Sequence, residues 1–412
     1  MLKRLFSDPT ELMNIDEGIL KGLVISPPRR VDNPTYEIVE PAERYDSRDH
    51  VWARMAMPVG SPAYEDYYSR HPEKKAVDDD LRDRGKRSGG KLLDSNRVNE
   101  EISISGFYGA IAASRPKLVD AHIRIPLQPK GMCKVETAEV DPATMSRKIK
   151  AFGLQLGAGK VGITELNQKW VYTHDLMPSY GQPIDCNYKY VICMAVPQDP
   201  FLMASHNSLG EEWEVGWKYA YASFISVVMA NTIRHLGWPA RPAPTFSTHY
   251  IVCPVYIDAG IGEDGRCGQV VTKEFGNNFR PGDVLTDLPL VPDKPVDFGL
   301  QDFCEKCKIC ADMCPAGAIP KGGKEIVRGV RKWYVDAEKC IRYMYTIGRT
   351  CGICQCVCPW NHSNNWFHNS VRETASRLGS ARKSIISADK LFYKHKPGPD
   401  PKWMTEPVQL RH

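Results

Sequence analysis

The sequence predicts an α/β core, helices packed on a central sheet, followed by a small domain organised by cysteines. Three observations predict it. Helix-period and strand-like segments alternate from Asp141 to Ile257. The chain has 412 residues, 42% apolar and 25% charged, enough for two or three folded domains, and that composition excludes disordered and fibrous classes. Nine of the 14 cysteines fall between Cys304 and Cys358.

Taken in order, residues up to about 110 are rich in Pro, Arg, Asp and Tyr, with short apolar patches at Tyr36 to Val39 and Ile102 to Ile104. They read as an irregular covering layer. Asp141-Pro142 can cap a helix carrying Met145, Ile149, Phe152 and Leu156, which Gly157 ends. Lys160 to Ile163 reads as a strand. The unbroken apolar run Tyr190 to Val196 suits a strand buried on both faces, as in a parallel sheet. A long helix is expected from Trp213 to Leu236, with Val215, Tyr219, Ala222, Val228, Met229 and Ile233 inward, stopped by Gly237 and Pro239. Tyr250 to Ile257 reads as a further strand, and HKPGPDPKWMTEP as a Pro-rich surface tail. The expected layout is a covering region over 1–115, the α/β domain over 116–297, the cysteine domain over 298–362, and a C-terminal helix and tail over 363–412 packing back on the core.

A net charge of +5 gives no reason to expect nucleic acid or an acidic membrane surface as partner. No run reaches the ~18 apolar residues of a membrane-spanning helix. The start MLKRLFSDPTELMN lacks an apolar signal core, and Arg29-Arg30 has no apolar stretch behind it. As written the chain is expected to be cytoplasmic; removal of an export leader from a longer precursor would put it on the outer face of the cytoplasmic membrane.

The cysteines carry the chemistry. Cys304-x2-Cys307-x2-Cys310-x3-Cys314-Pro315 has the spacing of a bacterial ferredoxin [4Fe-4S] motif, and Cys340 with Cys351-x2-Cys354-x3-Cys358-Pro359 supplies a second set. The fourth cysteine of such a run reaches the neighbouring cluster, so crossed ligation assigns Cys304, Cys307, Cys310 and Cys358 to one cluster and Cys314, Cys340, Cys351 and Cys354 to the other. Cys356 is left over as a spare thiol. A disulfide framework would spread its cysteines more evenly, and two Cys-Pro motifs favour iron-sulfur over zinc. Two adjacent cubanes form an electron wire, which must end at a redox partner.

Several stretches resemble the corrinoid-dependent reductive dehalogenases: VEPAERYDSRDHVWARM, TIRHLGWPARP, GEDGRCGQVVTKEFGNNFRPGDVLTDLPL, FCEKCKICADMCPAGAI and CGICQCVCPWNHSNNWFH. The resemblance runs from about residue 36 to 370. It implies a cobalamin-binding α/β core, a nitroreductase-like sandwich, joined to a bacterial-ferredoxin-like two-cluster domain, with base-off cobalamin as cofactor beside two [4Fe-4S] clusters. In agreement, the only Asp-x-His, Asp120-Ala121-His122, lacks the Gly of the Asp-x-His-x-x-Gly motif that supplies a histidine to cobalt. The activity implied is removal of halide from a small organohalide, with chlorinated alkanes and alkenes preferred. A tyrosine would donate the proton and a nearby cation would stabilise the phenolate formed. The family's pattern maps the donor to Tyr219, with Tyr221 in KYAYASF as the alternative, and the cation to Arg280. Trp360, Trp213 and Trp217 are candidate pocket or shielding aromatics.

The resemblance also implies an upstream electron donor, either a membrane quinol pathway or a ferredoxin or flavodoxin, and a small membrane anchor protein for an exported form. Two other readings compete. Epoxyqueuosine reductase, a tRNA-modifying corrinoid enzyme, shares the paired clusters but calls for a basic RNA-binding surface. A ferredoxin-like electron carrier leaves about 300 preceding residues without a role.

Overall fold

The computed structural model of the chain describes residues 25–87, 137–175, 181–244, 248–393 and 397–398. The Ile102 to Ile104 patch, Asp120-Ala121-His122, Cys133 and most of the Pro-rich tail lie outside the described residues.

The N-terminal region forms two short strands, β1 (Arg29–Arg30) and β2 (Glu37–Ile38), and three helices, α1 (Val51–Ala56), α2 (Pro62–Arg70) and α3 (Pro72–Arg87). Among its described residues, the expected irregular layer is helical over these three spans instead. Ser61 caps α2 through the Tyr64 amide, and the inward face is built from Tyr64, Tyr67 and Tyr68 in place of aliphatic residues. Charge density hides the period.

The core begins with α4 (Pro142–Gln155), capped by the Asp141 carboxylate on the Thr144 amide, 2.8 Å away. Strands β3 (Lys160–Glu165) and β4 (Tyr190–Pro197) follow, then α5 (Pro200–Ala204), α6 (Leu209–His235), β5 (Ala240–Pro244) and α7 (Val252–Asp258). Beyond them come β6 (Glu263–Asp264), β7 (Val270–Val271), β8 (Phe279–Thr286) and β9 (Val296–Asp297). The main sheet has the order β3-β4-β8-β5, and every pairing is antiparallel, not parallel as the buried run suggested. That run is buried on both faces because alternate residues of β4 serve two clusters. Ile192, Met194 and Val196 pack toward α4 and α6, while Val191, Cys193 and Ala195 pack toward α7.

Two further corrections concern strands. Tyr250 to Ile257 holds the helix α7 instead of a strand. Pro254 lies in its first turn, where an amide has no intrahelical acceptor to lose, whereas in a strand it would remove a ladder donor. Conversely, β8 sits between β4 and β5 although it contains Pro281-Gly282, which reads as a turn. Gly282 is required by close approach: a Cβ there would lie 2.6 Å from the Ala222 carbonyl oxygen of α6.

The C-terminal part comprises α8 (Leu300–Cys307), α9 (Ile309–Asp312), the hairpin β10 (Glu325–Val327) and β11 (Val330–Lys332), α10 (Ala337–Ile347), α11 (Ile353–Cys356), α12 (Trp366–Arg377) and α13 (Arg382–Tyr393). Arg328 and Gly329, both at positive φ, close the hairpin as its twist demands. The N-terminal region ties the molecule together. β1 pairs with β9, β2 extends the hairpin, and α3 packs its Leu81 with Ile341 and Tyr345 of α10.

Candidate active site and cysteine cavity

Local sequence builds the first half of the cysteine site. Lys308, at φ 59°, separates α8 from α9 and turns the chain so that Cys304, Cys307 and Cys310 face one cavity. Cys358, following α11, closes that cavity from the other side, and Cys354 reaches its edge. Burial raises all these thiols, and near neighbours raise them further. Cys310 is pushed up by burial first, and then by Cys267, Cys304, Cys358 and Cys354. Cys351 is pushed up to about 12 by burial, with Cys340 and Cys314 adding to it, and Cys340 to about 11 by burial and Cys314. Cys354 is raised mainly by burial and also by Cys340, Cys351 and Cys314. The structure thus places Cys304, Cys307, Cys310, Cys354 and Cys358 on one cavity, with Cys314, Cys340 and Cys351 near Cys354 beside it. Buried thiols that resist ionisation when bare are the donor set that a soft metal cluster deprotonates and holds. The donors fit iron-sulfur clusters.

Cys356 points elsewhere, its thiol donating to the Ala204 carbonyl at 3.5 Å. Sequence reasoning missed two residues of the cavity wall, Arg266 and Cys267. Both come from the β6–β7 loop, far from the motif in sequence, so spacing carried no signal for them. Trp360 is 2% exposed and meets Phe298 and Phe303 edge-on at 5.0 and 5.5 Å, forming an apolar wall.

The second half of the site lies where the sheet ends and α6 begins. Arg280, paired with Val196 in the ladder, holds its guanidinium 4.8 Å from the ring centre of Tyr219. Tyr221 faces away: its hydroxyl donates to the Leu156 carbonyl at 2.8 Å, and its ring stacks between Trp217 and Phe224. Trp217 is 41% exposed, so it does not line a closed pocket, and Trp213 is half-buried. Near Arg280, Glu211 is buried and pushed up to about 7 by that burial, while the Thr350 hydroxyl, 2.8 Å away, and Arg280 act to lower it. Thr350 precedes Cys351, so Glu211 links Arg280 to the chain beside that cysteine.

Buried polar groups without partners among the described residues include Gln198 Oε1, both ring nitrogens of His206, Asn207 Oδ1 and Arg280 Nε. They stand on β8 and on the segments joining β4 to α6. Orphaned polar atoms deep in a protein are costly unless something bound satisfies them. A corrinoid, ringed by amide side chains that both donate and accept, fits such a set.

Residues 303–362 match the 4Fe-4S dicluster domain family. The chain is 30% identical over 281 residues to a tetrachloroethene reductive dehalogenase of Sulfurospirillum multivorans, covering 59% of this chain and 55% of that protein. It is 26% identical over 268 residues to the epoxyqueuosine reductase of Escherichia coli, covering 54% of this chain and 66% of that one. Among solved structures, a reductive dehalogenase described with B12-dependent dehalogenation superposes with TM-score 0.73 at 26% identity, covering 90% of this chain and 49% of that chain. A catabolic reductive dehalogenase solved with 3-bromo-4-hydroxybenzoic acid superposes at 0.70 over the same shares. The chain spans about half the length of these dehalogenases. Its class is that of an α/β core joined to a ferredoxin-like two-cluster domain. Within that class it is similar to reductive dehalogenases over about half of their length.

Proposed function

We propose that the chain is a corrinoid-dependent reductive dehalogenase, an oxidoreductase that replaces halogen by hydrogen on a small organohalide of the chlorinated alkane or alkene class. Two electrons and one proton enter for each halide released. The observation that carries the reading is the guanidinium of Arg280 over the ring of Tyr219, linked to Cys351 through Glu211 and Thr350. Gln198, His206 and Arg280 would hold the edge of a base-off cobalamin, which when bound supplies low-potential electrons to the carbon-halogen bond. Cys304, Cys307, Cys310 and Cys358 would hold one [4Fe-4S] cluster, and Cys314, Cys340, Cys351 and Cys354 the other, forming the route by which electrons arrive singly from a quinol-linked or ferredoxin-type donor.

Tyr219 gives its phenolic proton to the developing carbanion. The charge of Arg280 stabilises the phenolate left behind, and solvent returns the proton after each turnover. Tyr221 cannot share this role while its hydroxyl is bonded to the backbone. Likeness to epoxyqueuosine reductase supports a second reading, action on a modified tRNA base, but the higher identity and the fold match over 90% of the chain favour the dehalogenase.

The test uses the full chain reconstituted with cobalamin, iron and sulfide, with reduced viologen as donor. It should hold about eight irons and one cobalt and release halide from chlorinated alkanes or alkenes. Turnover of epoxyqueuosine-containing RNA without halide release would overturn the proposal.

A further inference from the structure

Arg266, on the loop between β6 and β7, is only 1% exposed. Its Nε donates to the Cys304 carbonyl at 3.0 Å, and its Nη1 to the carbonyls of Pro320 at 2.9 Å and Gly322 at 2.7 Å. The guanidinium lies 4.7 Å from the ring centre of Trp333. These partners are all neutral. Among the described residues the one carboxylate paired with it, Glu305 at 3.5 Å, is on a side chain 56% exposed, where water screens it. A guanidinium buried without a buried counter-charge is a costly arrangement.

The missing negative charge has an evident place, since Arg266 lines the same cavity as Cys304, Cys307, Cys310 and Cys358. A cubane held by four thiolates is a polyanion, and reduction adds one more negative charge. We infer that Arg266 is a positioning residue for the cluster held by those four cysteines, fixing the Cys304 loop through its backbone bonds and raising that cluster's reduction potential through its charge. This rests on the cluster assignment proposed above. Cluster potentials follow net charge and local hydrogen bonding, and a cation beside this cluster, the one away from Tyr219, favours it as the point where donated electrons are first held. Gln at this position would keep some backbone bonds and lose the charge; Lys would keep the charge and lose the planar fork.

The experiment is a redox titration of the reconstituted full chain followed by electron paramagnetic resonance, with iron counted per chain. Wild-type protein lacking two clusters would count against the cluster assignment and not against Arg266. In Arg266→Gln, one cluster's midpoint should move to more negative potential while the other stays, and Arg266→Lys should return it toward the wild-type value. If Arg266→Gln instead loses one cluster's iron, Arg266→Lys should retain it. The inference is overturned if Arg266→Gln keeps all its iron and both potentials, or if Arg266→Lys shows the same shift in potential or the same loss of iron as Arg266→Gln.

Discussion

Tyr219 and Tyr221 differ by two places on α6, and that step of about 200° around the helix separates their partners. Tyr219 meets a cation, and Tyr221 is bonded to the backbone at Leu156. Tyr219→Phe keeps the ring and removes the transferable proton, so turnover should fall by ~10²–10⁴ while cluster reduction continues. Arg280→Leu should be impaired to a similar degree, and the double variant scarcely further, because the two act as one unit. Tyr221→Phe should turn over normally and lose about 1 kcal/mol of stability with its hydrogen bond. Halide release and thermal melting on the same preparations check all four, and a slow Tyr221→Phe beside a normal Tyr219→Phe would move the donor two residues on. A second residue-scale expectation concerns Asp283, fully buried between the hydroxyls of Tyr250 and Tyr256 and pushed up to about 7 by burial. The unfolded chain releases this proton near ~3.9, so the folded chain binds more protons between those values. The Asp283 contribution is therefore complete below about pH 4 and lost as pH rises through about 7. Urea midpoints should decline from pH 5 to pH 8 more steeply for wild type than for Asp283→Asn.

At the scale of elements, α6 and β8 carry the two halves of the proposed proton site and are held close at Gly282. Gly282→Ala would press a methyl group against the Ala222 carbonyl, 2.6 Å away, and force helix and strand apart. Overpacking of this kind costs ~1–3 kcal/mol, so the melting temperature should drop and turnover should fall with it, since Tyr219 and Arg280 ride on the separated elements. The cysteine motif is the element most legible in sequence, because its ligand spacing is local: Cys310→Ala and Cys314→Ala should each abolish a different cluster signal, and Cys356→Ser should abolish neither. Distinct resonance signals with iron counts decide this. The α4 helix was equally legible through Asp141, Pro142 and Gly157, each acting on its own turn. Strand β8 was hidden because Pro281 pairs with Ala195 in the ladder and Gly282 serves the close approach of α6, neither making a turn, and α7 because a short apolar run with a proline has no period of its own. Arg266, Cys267 and the orphaned Gln198 and His206 escaped notice for another reason: only the fold brings them to the site. The family resemblance, not periodicity, supplied Tyr219 and Arg280.

Across the whole molecule, the N-terminal helices brace the element that carries Cys340. Arg54 of α1 and Asp78 of α3 form a buried pair at 2.9 Å, with exposures of 4% and 0%, and Arg54 also reaches Glu338 at 2.8 Å. Glu338 lies two residues before Cys340 on α10, whose Ile341 and Tyr345 pack against Leu81. The cluster half thus depends on residues nearly three hundred positions earlier. Asp78→Ala removes one partner of a buried pair and the acceptor of the Tyr68 hydroxyl, leaving the Arg54 guanidinium with less compensation. The expected loss is on the order of 3 kcal/mol. Because α10 is anchored through this pair, the damage should be unequal between the clusters: iron bound through Cys340 should be released first on mild chelation, with the signal of the Cys304 group outlasting it. Replacing both partners by apolar residues of similar volume, Arg54→Met with Asp78→Leu, removes the uncompensated charge along with the pair and should recover most of the stability. Chelation kinetics followed by the two cluster signals test this directly. Equal loss from both clusters in Asp78→Ala would mean that the N-terminal helices stabilise the cluster half as one block and not through α10.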